Sequence, residues 1–111
     1  MLRNSMKDSA SFRKVYREGK SYANKYLVMY LLENGTEGNR VGISVSKKVG
    51  NSVVRHRTVR LIRESYRLQE DKIGRGYDMV VVARVNAKGR SYQEIASAFL
   101  HLCRLHRILV E

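Results

Sequence analysis

The stretch from Lys47 to Arg63 constrains this chain more than any other part of its sequence. A turn signal at Gly50 and Asn51 interrupts the stretch, and a helical pattern follows it. With about 100° of rotation per residue, one side of that helix is cationic and carries His56, Arg60, Arg63 and Arg67. The opposite side is largely apolar and carries Val54, Thr58, Leu61, Ile62, Ser65 and Leu68. The flanks carry Arg55 and Arg57. The pattern predicts an amphipathic helix, and we call its cationic side, together with the flanking Arg55 and Arg57, the arginine front. A guanidinium suits phosphate better than an ammonium does.

The predicted start of this helix also favours an anion. Asn51 or Ser52 is a plausible N-cap, and no acid occupies the first turn. A helix N-terminus without acids, beside Lys47 and Lys48, suits a phosphate. The alternative is a solvated amphipathic helix that is merely basic. We disfavour it because residues 38–63 contain seven basic residues and no Asp or Glu.

The distribution of charge indicates a polyanionic partner. The 111 residues carry a formal net charge of +12, and residues 38–63 alone account for seven of those charges. The excess is therefore a patch and not a uniform coat. Apolar residues make up 43% of the chain, so it should fold, and its length suits a single domain over residues 1–111.

The sequence favours a cytoplasmic protein. No apolar run is long enough to span a bilayer, and the first eight residues lack the apolar core of a signal peptide. The single Cys103 cannot form an internal disulfide. The apolar side of the basic helix has aliphatic residues without Trp or Phe, so we rank an anionic membrane low as a partner.

Aromatic residues form a second group, whose role the residues alone leave open. Residues 8–18 predict a short helix with Phe12 and Tyr16 on one face. Residues 20–33 predict one long strand or two short ones, and continuous alternation would give one face to Tyr22, Tyr26 and Tyr30. These rings are either ordinary core and cross-strand packing or a stacking platform for single-stranded nucleic acid.

The remaining pattern predicts an α+β fold. Residues 41–46 alternate strictly and predict a strand, while the apolar run at 79–83 predicts a central strand buried on both faces. A capping box at 91–94 opens a last helix that we expect to run to about Ile108. A strand, a helix and another strand suggest a βαβ crossover. The predicted order is α-βββ-α-β-α around a central sheet of three or four strands.

Catalytic and metal-binding candidates are poor. Cys103 and His106 are three residues apart on the last helix, with His101 nearby, but a second ligand pair is missing. We expect Cys103 to be a buried, small apolar residue. The sequence contains no Ser/His/Asp arrangement and no cluster of carboxylates, so we predict no catalytic residue and no metal site in this chain.

The basic segment resembles the signature of the bacterial ribonuclease P protein family, Lys-x-Val-Gly-Asn-x-Val-x-Arg-Asn-Arg-x-x-Arg-x-x-Arg. The matching residues are Lys48, Val49, Gly50, Asn51, Val53, Arg55, Arg57, Arg60 and Arg63. Two positions depart from the family pattern, with His56 in place of the usual Asn and Val59 in place of a frequent Lys. The resemblance extends over nearly the whole chain.

The resemblance implies the protein subunit of an endoribonuclease that removes the 5′ leader of precursor tRNA by Mg²⁺-dependent hydrolysis of one phosphodiester bond. In that family the Mg²⁺ is held mainly by the RNA subunit and the substrate, and the protein assists. The implied partners are ribonuclease P RNA and precursor tRNA, with no membrane and no small-molecule substrate. The implied fold is ribosomal-protein-like and has a left-handed βαβ crossover.

The resemblance also implies roles for individual residues. The RNA subunit or nearby phosphates would be contacted by Lys47, Lys48, Asn51, Arg55, His56, Arg57, Arg60, Arg63 and Arg67. A cleft for the single-stranded leader would be lined by Phe12, Tyr16 and Tyr30. Two other classes of function stay open, namely a structural RNA-binding protein such as a small ribosomal component, and a self-sufficient basic nuclease.

Overall fold

The structure, a computed structural model, describes residues 5–110. Within them the elements are α1 (Ser9–Glu18), β1 (Lys20–Ala23), β2 (Leu27–Glu33), β3 (Arg40–Ser44), α2 (Ser52–Gln69), β4 (Tyr77–Ala83) and α3 (Tyr92–Leu105). Short 3-10 turns occur at Glu70–Lys72 and Val85–Ala87. The predicted α-βββ-α-β-α order is confirmed, and the sheet has four strands.

The sheet has the strand order β1-β2-β4-β3. Strands β1 and β2 form an antiparallel hairpin, β2 is antiparallel to β4, and β4 is parallel to β3. Residues 20–33 therefore form two strands, and Asn24 holds the turn between them by accepting hydrogen bonds from the backbone N–H groups of Tyr26 and Leu27. Helix α2 connects the parallel neighbours β3 and β4, as the βαβ pattern predicts. The left-handed sense of this crossover stays a prediction of the family resemblance.

The two faces of the sheet are covered unequally. Helices α2 and α3 cover one face, where the main core includes Met29 and Met79 from the sheet and Ile62, Tyr66 and Phe99 from the helices. Helix α1 lies on the other face over a smaller cluster formed by Met6, Val15 and Val80, with Phe12 and Tyr30 packed beside it. We call this second surface the α1 face.

The three strand tyrosines do not share a face, so that prediction was wrong. Tyr22 and Tyr26 pack against the main core under α2 and α3, whereas Tyr30 packs on the α1 face. The physical reason is the hairpin, which pairs Tyr22 with Met29 and Ser21 with Tyr30. Directly paired residues point to the same side of a sheet, so the turn reverses the alternation that a continuous strand would keep.

Helix α2 buries a slightly different stripe from the predicted one. Its buried residues are Thr58, Ile62, Ser65, Tyr66 and Gln69. Leu68, which was expected on the apolar side, is 54% exposed. Leu68 lies roughly 120° around the helix from Ile62, while Tyr66 lies roughly 40° from it, so Tyr66 is the residue that enters the core.

Helix α3 begins as predicted and ends earlier. Ser91 and Glu94 form the capping box, with the Ser91 side chain accepting from the Glu94 N–H and the Glu94 carboxylate accepting from the Ser91 N–H. The helix ends at Leu105, short of the expected Ile108. Arg107 adopts a positive φ of 60°, and the N–H of Ile108 turns back to the carbonyl of Cys103. This reversal is a C-terminal helix stop of the left-handed type.

Candidate nucleic-acid interface

The amino-terminal end of α2 is built by a tight turn and a side-chain cap. Val49 is buried and anchors the turn, while Lys47 and Lys48 beside it are exposed. The Asn51 carboxamide oxygen accepts a hydrogen bond of 3.0 Å from the N–H of Val54, which makes Asn51 the N-cap. The first turn of α2 contains no acid. The positive end of the helix dipole is therefore reinforced by two lysines and opposed by no carboxylate of its own first turn.

The first half of α2 presents basic side chains to solvent. His56, Arg57 and Arg60 are exposed, and Arg55 is half-buried. Arg55 donates a hydrogen bond of 3.3 Å from Nη1 to the Gly50 carbonyl, and Arg57 donates one of 3.2 Å to the Arg90 carbonyl. Carbonyls do not neutralise a guanidinium, so both arginines keep their charge and their remaining N–H groups for an anion.

The second half of α2 carries Arg63 and Arg67, which the sequence grouped together but which differ in their partners. Arg67 makes two hydrogen bonds of 2.8 Å to the carboxylate of Glu64, and this contact lowers the pKa of Glu64 below its ordinary value. Arg67 is thus the one member of the predicted arginine front that already has an acidic partner within residues 5–110. Arg63 is half-buried, and its Nε is buried without a hydrogen-bond partner in that same range.

Phe12, Tyr16 and Tyr30 meet on the α1 face, and we call them the aromatic cluster. The ring centroids of Tyr16 and Tyr30 are 4.8 Å apart in an edge-to-face arrangement, and those of Phe12 and Tyr16 are 6.2 Å apart. Phe12 and Tyr30 are half-buried, whereas Tyr16 is 39% exposed. The cluster is therefore packed at its base and open at Tyr16.

Gly42 of strand β3 permits the position of Phe12. A Cβ atom built at Gly42 would lie 2.6 Å from Cζ of the Phe12 ring, which is closer than real Cβ contacts allow. Any other residue at this position would push the ring away from the sheet. The glycine at this position therefore makes room for one ring of the aromatic cluster against the sheet.

The arginine front and the aromatic cluster are contiguous. Arg63 from α2 and Phe12 from α1 line the same pocket, together with Met6, Val41 and Ile43. Their positions are 51 residues apart in the sequence. A strand of nucleic acid could place phosphates against the guanidinium groups and a base against the rings at the same time.

The sequence predictions missed an ion pair between the buried carboxylate of Asp78 and the partly exposed guanidinium of Arg40. Arg40 donates two hydrogen bonds to the Asp78 carboxylate, at 3.0 Å and 2.6 Å, and Asn34 donates a third at 3.0 Å. Burial raises the pKa of Asp78, but these hydrogen bonds outweigh it, so the pKa lies below its ordinary value of 3.8. Alternation along β3 and β4 gave no signal for this pair because its members lie 38 positions apart.

The side chains that the sequence analysis weighed as metal ligands lie in ordinary core and surface positions. Among residues 5–110, no group of three or more His, Cys, Asp and Glu side chains could hold a metal ion. Cys103 is fully buried, and burial raises the pKa of its thiol to about 12. Burial lowers the pKa of His106, whose Nε2 lies 2.9 Å from the Met29 carbonyl oxygen. No helix within this range is long and apolar enough to cross a membrane.

The fold and this surface define a small, basic α+β protein in which one helix carries most of an exposed cationic front. Comparison with known proteins gives the family. The sequence matches the family model described as Ribonuclease P over residues 2–106. It is 58% identical over 108 residues to the Ribonuclease P protein component of Lachnoclostridium phytofermentans, a match that covers 97% of this chain and 93% of that protein.

Solved structures agree. The structure of the Staphylococcus aureus RNase P protein at 2.0 Å matches with a TM-score of 0.89 and 33% identity, covering 98% of this chain and 100% of that one. A mutant of the S. aureus protein with defective mRNA degradation activity matches with a TM-score of 0.88 and 34% identity, covering 95% and 89%. The chain belongs to the ribonuclease P protein family, whose members are components of a tRNA-processing endoribonuclease.

Proposed function

We propose that this chain binds the RNA subunit of ribonuclease P through the arginine front of α2 and binds the 5′ leader of precursor tRNA through the aromatic cluster. By holding the leader beside the RNA subunit, the protein assists the Mg²⁺-dependent endonucleolytic cut that produces the mature 5′ end. This reaction belongs to the cytoplasm, where we expect the protein to act.

The observation that carries this proposal is the shared pocket of Arg63 and Phe12. An RNA subunit would present phosphates, which the guanidinium groups of Arg57 and Arg60 suit. A single-stranded leader would present unstacked bases, which aromatic rings suit. Since the two surfaces meet at one pocket, a single protein can contact both RNAs at their junction.

Mg²⁺ is assigned to the RNA subunit and the substrate. The described residues do not fit a resident Mg²⁺, which prefers carboxylate and other oxygen ligands in octahedral geometry. The acids that lie along α2 and α3, Glu64 and Glu94, are already engaged by Arg67 and by Ser91. The contribution of this chain is therefore binding and positioning, which can lower the Mg²⁺ concentration that cleavage requires by supplying fixed positive charge.

The decisive experiment measures precursor-tRNA cleavage at low Mg²⁺ with RNA subunit alone, protein alone and both together. We expect cleavage to be stimulated when both are present and to be absent with rigorously RNA-free protein. If the protein does not stimulate cleavage by the RNA subunit, a structural RNA-binding protein would be favoured. Metal-dependent cleavage by protein alone would favour a self-sufficient nuclease.

A second candidate substrate is mRNA, because the similar S. aureus mutant is described by its defective mRNA degradation activity. The same assay with a radiolabelled mRNA and RNA-free protein tests it. A double variant, Arg60→Ala with Arg63→Ala, separates genuine activity from a contaminating nuclease, since a contaminant would be unaffected by changes in the arginine front.

A further inference from the structure

A second basic surface lies at one end of the sheet, beyond the arginine front. Strands β3 and β4 are parallel neighbours, with Ser44 paired to Val82, so the segments that follow them leave the sheet side by side. After β3 comes the turn at residues 46–49, and after β4 comes the loop at residues 84–88. A groove separates them, and its lining includes Ser46, Lys48, Arg84 and Asn86. We call this the strand-end groove.

The hairpin turn adds further cations to the same end. Leu27 at the start of β2 pairs with Ala83 at the end of β4, which places Lys25 beside the loop. Arg84 ties the two segments together, because its N–H donates to the Tyr26 carbonyl and its Nη1 donates to the Asn24 carbonyl at 2.9 Å. Arg84 is therefore held against the hairpin turn by two hydrogen bonds.

The charge at this end is strongly asymmetric. Lys48 and Arg84 line the groove itself. The segments beside it carry four more cations, namely Lys47, Lys88, Arg90 and, in the hairpin turn that Arg84 contacts, Lys25. Glu94 is the acid in contact with them: its carboxylate accepts a hydrogen bond from the Ser91 N–H and lies 3.7 Å from Arg90. At the other end of the strands, Asp78 is paired with Arg40, and Glu33, Glu70 and Asp71 add further acids.

The surface is suited to phosphates more than to bases. Lys25 and Arg90 already lie against the ring of Tyr26, at 5.8 Å and 5.0 Å from its centroid, so that ring is occupied by cations. Lys88 is exposed and makes no side-chain hydrogen bond or ion pair within the described chain. Fixed cations without a free ring match the backbone of folded RNA, whereas a single-stranded leader gains most from stacking.

We propose that the strand-end groove binds the phosphate backbone of the RNA subunit through Arg84, Lys88 and Lys25, cations that lie outside the arginine front and outside the contacts already assigned to Lys47 and Lys48. The two surfaces are joined by the hydrogen bond from Arg57 to the Arg90 carbonyl. The carboxyl ends of parallel strands are also a common place for ligands in open sheets. This inference rests on the proposed function, since it needs the RNA subunit as the partner.

The test compares two double variants with the same loss of charge. Lys25→Gln with Lys88→Gln removes two exposed cations at the groove, and Lys72→Gln with Arg75→Gln removes two exposed cations at the opposite end of β4. Binding to the refolded RNA subunit, without substrate, is measured over a range of salt. The groove variant should lower the slope of log affinity against log salt concentration by roughly one to two units, and it should weaken binding by about tenfold at low salt. The control variant should change the slope by less than half as much as the groove variant does.

The remaining measurements keep the outcomes distinct. Affinity for a short leader oligonucleotide should be unchanged in the groove variant, and thermal unfolding should match that of the unmodified protein. Equal slopes for the groove and control variants would overturn the inference while leaving the proposed function intact, provided that Arg60→Ala still weakens binding. If Arg60→Ala is also without effect on RNA-subunit binding, the proposed function itself fails. A loss of leader affinity alone would overturn the assignment to the RNA subunit.

Discussion

The ring of Tyr16 stands edge-on to the ring of Tyr30, with the centroids 4.8 Å apart and the ring planes at 85°. Tyr16 comes from α1 and Tyr30 from the central region of β2, so the contact joins the helix to the sheet it covers. Tyr30 is half-buried beneath the contact, whereas Tyr16 keeps much of its surface in solvent. A base could therefore stack on Tyr16 without displacing any core residue.

Tyr16→Ala should weaken the affinity of the reconstituted holoenzyme for precursor tRNA by about tenfold, because base–aromatic stacking contributes roughly 1–3 kcal/mol per base. Affinity for mature tRNA, which has no leader, should hardly change. The measurement is the ratio of the two affinities. Tyr92→Ala on α3 is the matched control, with the same side chain removed far from the aromatic cluster, and should leave the ratio unchanged.

Phe12→Ala should behave differently from Tyr16→Ala, because Phe12 packs beside Met6, Val15 and Val80 as well as against Gly42. We expect a clear fall in melting temperature together with a loss of leader affinity. If Tyr16→Ala also lowers the melting temperature strongly and leaves the precursor-to-mature ratio unchanged, the aromatic cluster is core and its assignment to the leader has to be withdrawn.

Arg60→Ala should lower the log–log salt slope of RNA-subunit binding by about one unit or less, and Arg63→Ala should do the same. Arg67→Ala should have a smaller effect, because the Glu64 carboxylate already neutralises that guanidinium. Arg104→Ala, an exposed arginine on α3, serves as the control outside the front. The prediction fails if the slopes for Arg60→Ala and Arg63→Ala equal that of the unmodified protein.

His56→Asn should keep activity, while His56→Ala should lose part of it. The reason is that a neutral imidazole and a carboxamide each offer a hydrogen-bond donor and an acceptor, and an alanine offers neither. His56 is exposed on α2, so neither change should alter folding. Cleavage rate at low Mg²⁺ and thermal unfolding are measured together. Equal damage from both substitutions would mean that His56 has a role the family's Asn does not share.

Asp78→Asn should reduce stability most at neutral pH and least in acid. The pKa of Asp78 is lowered in the folded protein, so its stabilisation is present above the ordinary value of 3.8 and is lost as the pH falls through the lower folded value. Thermal unfolding of the variant and the unmodified protein should therefore converge as the pH falls below 3.8 and through the lower folded-state pKa. Glu33→Gln, at an exposed acid on the neighbouring strand, is the control with the same charge change. A stability difference between Asp78→Asn and the unmodified protein that stays constant with pH would contradict the lowered pKa of Asp78.

Local patterns in the sequence determined much of the molecule. The arginine front of α2 and the capping box at Ser91 and Glu94 were predicted, and the N-cap of α2 was predicted to be Asn51 or Ser52, since each depends on residues within a few positions of one another. The element order followed from the same kind of signal, and so did the burial of Cys103. Helical and strand periodicity involve residues only a few positions apart, so these features can be predicted from a single sequence.

Tertiary structure decided which of those features meet. The face of Tyr22 and Tyr26 depended on a hairpin register, and the pairing of Arg40 with Asp78 depended on two parallel strands lying side by side. Likewise, Arg63 reached the pocket of Phe12 only because α1 and α2 flank the same strand. Lys48, Arg84 and Lys25 gathered at one end of the sheet for the same reason. These relationships join residues that are distant along the chain, and their geometry is set by strand pairing and core packing, which no local periodicity encodes.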